Sequence, residues 1–227
     1  MPRTLDPVAH ALRREAFLDV AQRLIQSSGY EQMSVQDILQ ELDASKGAFY
    51  HYFDSKTALL EAVVERMVVA VTATLEPMVD DPDLPAVQKL EGIFSGIARW
   101  KSDRKELMLA LVQVWLSDEN AIVRERSRHV TGKRLTPLLA RIVQQGQAEG
   151  TFSATSAEHT AAVLVALMLG LNEAAGQLLV ARQAGAVSFD HVVRTIAAYA
   201  EAFERILGLP AGSWPAIDTP TLHYWFG

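Results

Sequence analysis

Apolar residues recur along this chain at the three- and four-residue spacing of one helix face, and this period constrains the fold more than any other feature. The first helix shows it in Val8, Leu12, Phe17, Val20, Ala21 and Leu24. We find no run of alternating apolar and polar residues between turn signals, the pattern of a half-buried strand. The sequence therefore predicts an all-α protein of about nine helices.

Capping and turn residues predict where the helices begin and end. Gly29 suits the left-handed end of the first helix. Ser34 and Asp37 resemble a capping box at the start of the second, with Asp in place of Glu. Ser45 begins a third helix that reaches Phe53. Further helices are predicted over residues 55–79, 84–102, 104–116, 120–149, 156–182 and 188–207. The tail from Gly208 is expected to be irregular and pinned by Trp214, Tyr224, Trp225 and Phe226.

These helices divide into two predicted domains. Residues 8–55 form a compact three-helix domain, and residues 56–227 form an all-helical body. The long fourth helix, over residues 55–79, links the two. A chain of 227 residues is long enough for one large or two small domains.

Composition excludes several classes of protein. Without cysteine the chain has no disulfide, zinc–thiolate site or thiol nucleophile. A hydrophobic content of 49% argues against a mainly disordered chain. Residues 1–6 lack the apolar run of a signal peptide, and the longest apolar stretch, 161–171, is too short to span a bilayer. We therefore expect a soluble, cytoplasmic protein without a membrane partner.

The charge balance excludes nucleic-acid binding through bulk charge. The net charge is −6, and residues 1–56 hold six lysines and arginines against eight aspartates and glutamates, a balance of −2. Any nucleic-acid site in this chain must depend on where a few residues are placed.

The segment from Ser34 to Phe53 has the layout of a helix-turn-helix, two short helices joined by a tight turn. Its second helix, about eight residues and roughly 12 Å long, fits a DNA major groove about 12 Å wide. Phe49 and Phe53 are four residues apart and are predicted to pack inward. The helix starts with small or hydrogen-bonding residues, which let the backbone approach base edges: Ser45, Lys46, Gly47 and Ala48.

Hydrogen-bond donors for DNA phosphates flank this helix. Tyr50 and His51 are predicted to point away from the core, where a hydroxyl and a ring N–H can donate to phosphate oxygens. Lys56 adds a charge in the first turn of the fourth helix, beside N–H groups that favour anions. Ser34 offers a second helix start of this kind. From the helix pattern alone, an ordinary hairpin with solvated polar residues is an equally good interpretation.

The chain resembles the TetR (tetracycline-repressor) family of bacterial regulators over about residues 10–65. The matching residues are Gly29-Tyr30-Glu31, Ser34-Val35-Gln36-Asp37-Ile38, Ser45 through Lys56, and Leu59-Leu60. Further along, residues 146–152 are similar to the way the family often ends its seventh helix. One departure is Asp43, where the family's turn usually has glycine. Aspartate tolerates the left-handed conformation better than most residues, so the turn is expected to form.

The resemblance implies a homodimeric regulator, by family default a repressor, that binds an inverted-repeat operator in double-stranded DNA and is released by a small-molecule effector. It implies that the last two long helices pair with those of a partner, and that the effector moves the fourth helix. It places Ser45, Lys46, Gly47 and Ala48 against bases or nearby phosphates. It places Tyr50, His51, Lys56 and Ser34 against phosphates.

The body offers candidates for an apolar effector pocket. They are Phe94, Ile97, Trp100, Met108, Leu111, Trp115, Met168 and Asn172. Such a lining predicts a small apolar or amphipathic effector. An apolar stripe at helical spacing is more often simply core.

The last two long helices are apolar around much of their circumference, which predicts a face for a second copy. The eighth offers Ala161, Ala162, Leu164, Val165, Leu167, Met168, Leu171 and Ala175. The ninth offers Val192, Val193, Ile196, Ala197, Tyr199, Ala200, Phe203 and Ile206.

Other functions have weaker support. Residues 80–83 (Asp-Asp-Pro-Asp) are placed by proline in a loop, so we predict no metal site there. A basic run is more simply a solvated helix face than a second nucleic-acid patch; it consists of Arg124, Arg126, Arg128, Lys133 and Arg134. No catalytic or cofactor motif is present, so we expect neither an enzyme nor a cofactor. The serious alternative is a helical ligand- or partner-binding protein that has lost DNA affinity.

Overall fold

The computed structural model of the protein describes residues 7–214 and 219–227. Within those residues the chain forms ten α-helices, a short 3-10 helix (Asp118–Asn120) and no strand. The α-helices are α1 (Pro7–Ser28), α2 (Val35–Leu42), α3 (Lys46–Tyr52), α4 (Lys56–Asp80), α5 (Ala86–Ser102), α6 (Lys105–Leu116), α7 (Ala121–Ala148), α8 (Ala157–Gln183), α9 (Phe189–Leu207) and α10 (Thr219–Phe226). The all-α prediction is confirmed. Residues 1–6, to which the expectation of no signal peptide refers, lie outside the described residues.

Local capping chemistry sets most of these boundaries. Gly29 ends α1 in the left-handed region, with φ +84°. The Ser45, Ser156 and Ser188 side chains each accept a backbone N–H three residues on, at the starts of α3, α8 and α9. The five helices from α5 to α9 begin and end within two residues of the predicted bounds.

The chain divides into two compact units. Unit 1 comprises Met1–Val68 and Lys101–Ser127, and unit 2 comprises Val69–Trp100 and Arg128–Gly227. The core of unit 1 joins α1, α2, α3 and the first half of α4 to α6. Its largest fully buried side chains are Phe17, Leu18, Ile25, Ile38, Phe49, Leu59, Leu60 and Leu107. Helix α3, the second helix of the predicted helix-turn-helix, therefore packs on a buried core.

The first turns of α1 differ from the sequence prediction. Val8 and Leu12 were assigned to the buried face, but they are 67% and 68% exposed. The buried residues of α1 begin only at Phe17. Helices α2 and α3 have eight and seven residues. They are therefore too short to cover all of a helix of 22 residues.

Unit 2 is packed around the second half of α4, most of α5 and α7, and the helices α8 and α9. A buried lysine fastens the end of α4 there. The Lys89 ammonium donates to the Val79 carbonyl and to Gln145 Oε1, each at 2.8 Å. Gln145 Nε2 in turn donates to the Leu84 carbonyl at 2.9 Å. These bonds offset the cost of burying the charge and hold the loop between α4 and α5.

Helix α8 is longer and less covered than the sequence suggested. It runs unbroken through Asn172 and Glu173, so by length and composition alone it could cross a membrane. Only 22% of its most apolar stretch is buried. Several residues assigned to a partner face are instead buried inside unit 2, because α8 and α9 pack on its core. They are Ala161, Leu164, Val165, Val192, Ile196 and Phe203.

The tail is more ordered than predicted, since its last residues form α10. Leu222 and Phe226 are buried, whereas Tyr224, predicted to pin the tail, is 49% exposed. The Thr219-Pro220 pair at the start of α10 was the missed signal, because proline favours the first turn of a helix.

A buried carboxylate anchors the segment that follows α9. Glu204 accepts the Trp214 N–H at 2.7 Å. Backbone N–H groups of Trp214, Gly212 and Ser213 donate to this carboxylate. They hold the pKa of Glu204 below its ordinary value of 4.5. Trp214 stacks on Phe203 at 5.7 Å between ring centroids. The carboxylate thus determines where this tryptophan packs.

Replacing Glu204 by Gln tests that anchor. An amide offers one acceptor oxygen and turns its NH2 toward other donors, so we expect a lower Tm at pH 7. Because the folded-state pKa is lowered, the stabilisation is complete above pH 4.5 and is lost as the pH falls below it. The difference in Tm between wild type and variant should therefore shrink in acid. Glu201→Gln, which alters an exposed pair with Arg205 on the same helix, is the control and should change Tm little. Equal Tm values for wild type and Glu204→Gln at pH 7 would refute the anchor.

Candidate DNA-binding site

Four aromatic side chains hold α3 against α1. Phe49 is fully buried and Phe53 is 4% exposed. Phe17 of α1 meets both edge to face, with centroid distances of 5.8 Å to Phe49 and 6.1 Å to Phe53. Tyr52 packs on Phe17 at 5.6 Å. This packing agrees with the inward placement predicted from the spacing of Phe49 and Phe53, and it sets which face of α3 is turned outward.

The outward face of α3 carries most of the predicted DNA contacts. Ser45, Lys46, Gly47, Tyr50 and His51 are all exposed. Ala48 differs, because it is half-buried on the core of unit 1 and its N–H donates to Ser45 Oγ at 3.2 Å. The structure thus brings six of the eight predicted residues together on one short helix and its cap, and five of the six are exposed.

The turn before α3 has the strained geometry that the helix-turn-helix requires. Asp43 has φ 45° and ψ 49°, and among the described residues it is the one residue other than glycine with positive φ. Its N–H and that of Ala44 donate to carbonyls in the last turn of α2. Aspartate therefore fills the place where the related family usually has glycine.

Ser34 is already engaged within its own helix start. Its hydroxyl and its N–H both donate to Asp37 Oδ2 at 2.8 Å, and its Oγ accepts the Asp37 N–H at 3.2 Å. These bonds from Ser34 hold the pKa of Asp37 below its usual range. The predicted capping box is confirmed. A phosphate contact by the Ser34 hydroxyl would require it to leave Asp37.

Gly47 has no packing partner that requires glycine. A Cβ built at this position would meet only Ser45 Oγ, at 3.9 Å. Glycine inside a helix costs about 0.5–1 kcal/mol relative to alanine. No contact within unit 1 requires glycine here or offsets this cost. Glycine at this position therefore suits close approach of a ligand to α3 from outside.

Two lysines are held in place beside aromatic rings. Lys46 Nζ lies 5.9 Å from the Tyr50 ring centroid, and Lys56 Nζ lies 4.2 Å from that of Tyr30. Lys56 also donates to the Glu31 carbonyl at 3.3 Å. Burial raises the pKa of Tyr30, which keeps it neutral beneath the ammonium. Lys56 is therefore a fixed charge at the start of α4.

Several acidic residues of unit 1 are paired with arginines. Arg66 binds Asp19 at 2.7 Å and Glu15 at 3.1 Å. Arg23 binds Glu41 at 2.8 Å. Such pairs at the surface add little stability. Arg66 lies outside residues 1–56, so the balance of −2 counted over those residues omits its charge.

Sequence reasoning missed three residues that support the site. They are Tyr30 under Lys56, His10 beside His51, and Arg13, whose guanidinium donates to the Leu42 carbonyl at 3.4 Å. His10, Arg13 and Phe17 share one face of α1 at helical spacing. That periodicity was the available signal, and it was overlooked because His10 and Arg13 are polar.

The predicted pocket residues are divided between the two units. Leu111 is buried in the core of unit 1, and Met108 and Trp115 pack against it. Phe94, Ile97 and Met168 are half-buried on the core of unit 2, Trp100 is half-buried at the end of α5, and Asn172 is exposed on α8. Phe94 meets Phe203 and Trp214 edge to face, at 4.9 Å and 5.0 Å.

A separate open groove of about 660 Å³ lies along α7 in unit 2. It is lined by His129, Gly132, Lys133, Thr136, Pro137, Ala140 and Glu158. None of the eight predicted pocket residues is among them.

The arginines proposed as a second nucleic-acid patch are used within the units. Arg124 donates to the Trp115 and Ser117 carbonyls at 2.6 and 2.7 Å. Arg126 pairs with Glu61, and Arg128 pairs with Glu173 at 2.8 Å. In the acidic loop, Asp80 pairs with Arg141, and Asp81 accepts the Asp83 N–H at 2.9 Å. Both segments thus have structural partners.

Residues 17–63, which hold the turn, α3 and the start of α4, match the sequence profile described as bacterial regulatory proteins, tetR family. This segment is a DNA-binding domain of the TetR family. The coarse function of the chain follows: it is a DNA-binding transcriptional regulator.

Relatives with known names agree. The chain is 25% identical over 138 residues to the HTH-type transcriptional repressor DhaR of Mycobacterium sp., covering 61% of this chain and 69% of DhaR. It is 28% identical over 134 residues to the HTH-type transcriptional regulator EthR of Mycolicibacterium smegmatis, covering 51% of this chain and 62% of EthR. The crystal structure of RolR with resorcinol shares the fold, with a TM-score of 0.62, 15% identity, and coverage of 96% and 94%.

Gly47→Ala should change stability and DNA binding in opposite directions. The added methyl meets open space, so we expect the free energy of unfolding to rise by about 0.5–1 kcal/mol. The same methyl blocks close approach to DNA, so we expect affinity to fall about tenfold or more, equivalent to 1.4 kcal/mol or more. Denaturant unfolding and a gel shift measure the two effects.

The matched control is Gly132→Ala in α7, where a Cβ also meets nothing within 4 Å. It should stabilise the protein without weakening DNA binding. Unchanged DNA affinity in Gly47→Ala would contradict the placement of α3 against DNA.

Proposed function

We propose that this TetR-family regulator is a homodimeric repressor that binds an inverted-repeat operator and is released by a small apolar or amphipathic molecule. The observation that carries the proposal is α3, a short helix held by buried phenylalanines, with Gly47 and the donor residues Lys46, Tyr50 and His51 exposed. Because a repressor of this kind acts on the bacterial chromosome, we place the protein in the cytoplasm.

Each outward residue has a role in this proposal. The start of α3, at Ser45, Lys46, Gly47 and Ala48, lies against base edges in the major groove and nearby phosphates. Tyr50 and His51 donate to phosphate oxygens, and Lys56 adds a fixed charge. Ser34 contributes the start of α2. These contacts are few, so specificity depends on presenting the helix twice.

The uncovered faces of α8 and α9 support the dimer. On α8, Ala162, Val163 and Ala166 are exposed, and Val163 is 48% exposed. On α9, Val193, Ala197 and Ala198 are exposed. Small apolar residues allow helices to approach closely, and an apolar stretch that is only 22% buried favours a partner. Two-fold pairing of these faces predicts half-sites about 34–36 Å apart, or a multiple of that spacing.

The effector proposal rests on unit 2. Phe94, Ile97 and Met168 are half-buried on its core, and their side chains are apolar. RolR, a protein of the same fold, binds resorcinol, a small aromatic molecule. We propose that these three residues belong to the effector site. Trp100, Asn172, Met108, Leu111 and Trp115 remain sequence predictions.

Footprinting on the DNA upstream of the protein's own gene tests the function. We expect two protected segments related by inversion, with centres about 10 base pairs, or a multiple, apart. Repeating the assay with a panel of small molecules should give release by apolar or amphipathic members. Absence of protection at low salt would favour the alternative, a ligand-binding protein that has lost DNA affinity. Release by polar metabolites alone would refute the proposed class of effector.

Val163→Glu tests the dimer. A carboxylate on the α8 face would be buried without a partner, which costs several kcal/mol, so the protein should elute as a monomer and lose operator affinity. Ile122→Glu in α7, at a site that is 65% exposed, is the control and should change neither property. Light scattering that gives a monomer for the wild type at micromolar concentration would contradict the interface.

A further inference from the structure

His10 on α1 and His51 on α3 form an imidazole pair at the edge of the DNA-binding face. Their ring centroids are 5.4 Å apart, in an edge-to-face arrangement. Tyr52 lies between the helices and contacts both rings, at 4.6 Å from His10 and 5.0 Å from His51. Of the six histidines in the chain, these two lie in the three-helix domain predicted over residues 8–55.

The pair is not needed to hold α3. Phe17, Phe49 and Phe53 already fix that helix and are buried. His51 is exposed and His10 is half-buried. Two polar rings at the rim of an apolar cluster are therefore open to a ligand on the side that α3 turns outward.

We propose that His10 and His51 together bind one backbone phosphate of the DNA, and that the pair takes up protons as it does so. The proposal rests on DNA binding through α3 and adds His10, a residue of α1, to the contacts. An imidazolium donates from both ring nitrogens, and a phosphate oxygen accepts several such bonds. One phosphate can therefore bridge the two rings.

Proton uptake follows from the negative charge of the phosphate. A phosphate that bridges the two rings accepts N–H bonds from both and favours their protonated forms in the complex. A group that holds its proton more tightly in the complex strengthens binding at low pH, and this gain is lost as the pH rises. Imidazole ordinarily titrates between pH 5 and 8, so the effect falls in that window.

The charged neighbours of the pair are mostly cationic and engaged. On α1, Arg13 donates to the Leu42 carbonyl and Arg14 lies 3.7 Å from Glu15. On α3, Lys46 lies over Tyr50. On α2, the carboxylate of Glu41 is bound by Arg23. Asp6, four residues before His10 in the sequence, lies outside the described residues. The variant Asp6→Asn tests whether its charge contributes to the pH response.

The experiment measures the Kd of the full-length protein for the DNA upstream of its own gene, from pH 6 to pH 8 at constant salt. We expect wild-type affinity to rise about tenfold or more toward pH 6, since uptake of one proton changes affinity about tenfold per pH unit. His10→Gln and His51→Gln should each lose about half of this response on the logarithmic scale. The double variant should lose nearly all of it.

Three further variants separate the pair from other causes. His191→Gln, at the start of α9, should keep the wild-type response, as should Asp6→Asn. His10→Arg carries a permanent charge, so at pH 8 it should recover about half, on the logarithmic scale, of the affinity that the wild type gains at pH 6. Circular dichroism checks that each variant is folded.

The outcomes distinguish this proposal from the proposed function. A wild-type protein that binds no DNA at any pH would overturn both. Binding whose pH response is the same in the wild type and in His10→Gln would overturn the imidazole pair alone. Loss of the response in Asp6→Asn as complete as in the double variant would also overturn it, because the carboxylate would then be the titrating partner.

Discussion

The contact of Phe17 with Phe49 and Phe53 is the interaction on which the DNA-binding function depends. Helix α3 has seven residues, too few to be stable alone in water. Its conformation is therefore maintained by packing, and Phe49 is fully buried. Replacing a buried phenylalanine by alanine typically costs about 3–5 kcal/mol, a large share of the stability of an ordinary domain. The same packing that keeps α3 folded also turns Gly47, Tyr50 and His51 outward.

Local placement of charge matters more here than total charge. The protein carries a net charge of −6, which opposes association with DNA at long range. Arg66 and Arg23 form ion pairs with three carboxylates of the same unit. Lys56 is held against Tyr30 and the Glu31 carbonyl, so little side-chain entropy would be lost in the phosphate contact that we propose for it. A few ordered donors thus replace a broadly basic surface.

Features that depend on nearby residues were predicted well from the sequence. Ser34 and Ser45 begin helices through side-chain bonds within one turn, and Gly29 ends a helix through its backbone angles. The structure has these helix ends where they were predicted. Phe49 and Phe53 were assigned inward from their spacing alone. The left-handed conformation of Asp43 was anticipated because the TetR family usually has glycine at this position of the turn.

Features that depend on distant packing were not predictable in the same way. Val8 and Leu12 follow the apolar pattern of α1, yet α2 and α3 are too short to cover them. Val165 and Ile196 fit a partner face by composition, but the core of unit 2 buries them. The assigned residues that are exposed, such as Ala162 and Val193, could be separated from these only by knowing which way α8 and α9 are rotated.

The salt dependence of DNA affinity at pH 8 tests most directly whether a few placed donors, and not bulk charge, bind the DNA. We propose that the permanent cations that meet phosphates are Lys46 and Lys56 of each subunit of the proposed dimer. Four phosphates neutralised per dimer predict a slope of about −4 for log K against log salt, because each contributes about −0.9. The upstream DNA should also be bound more tightly than an unrelated duplex throughout. A slope of about −8 or steeper, with equal affinity for both duplexes, would contradict the account.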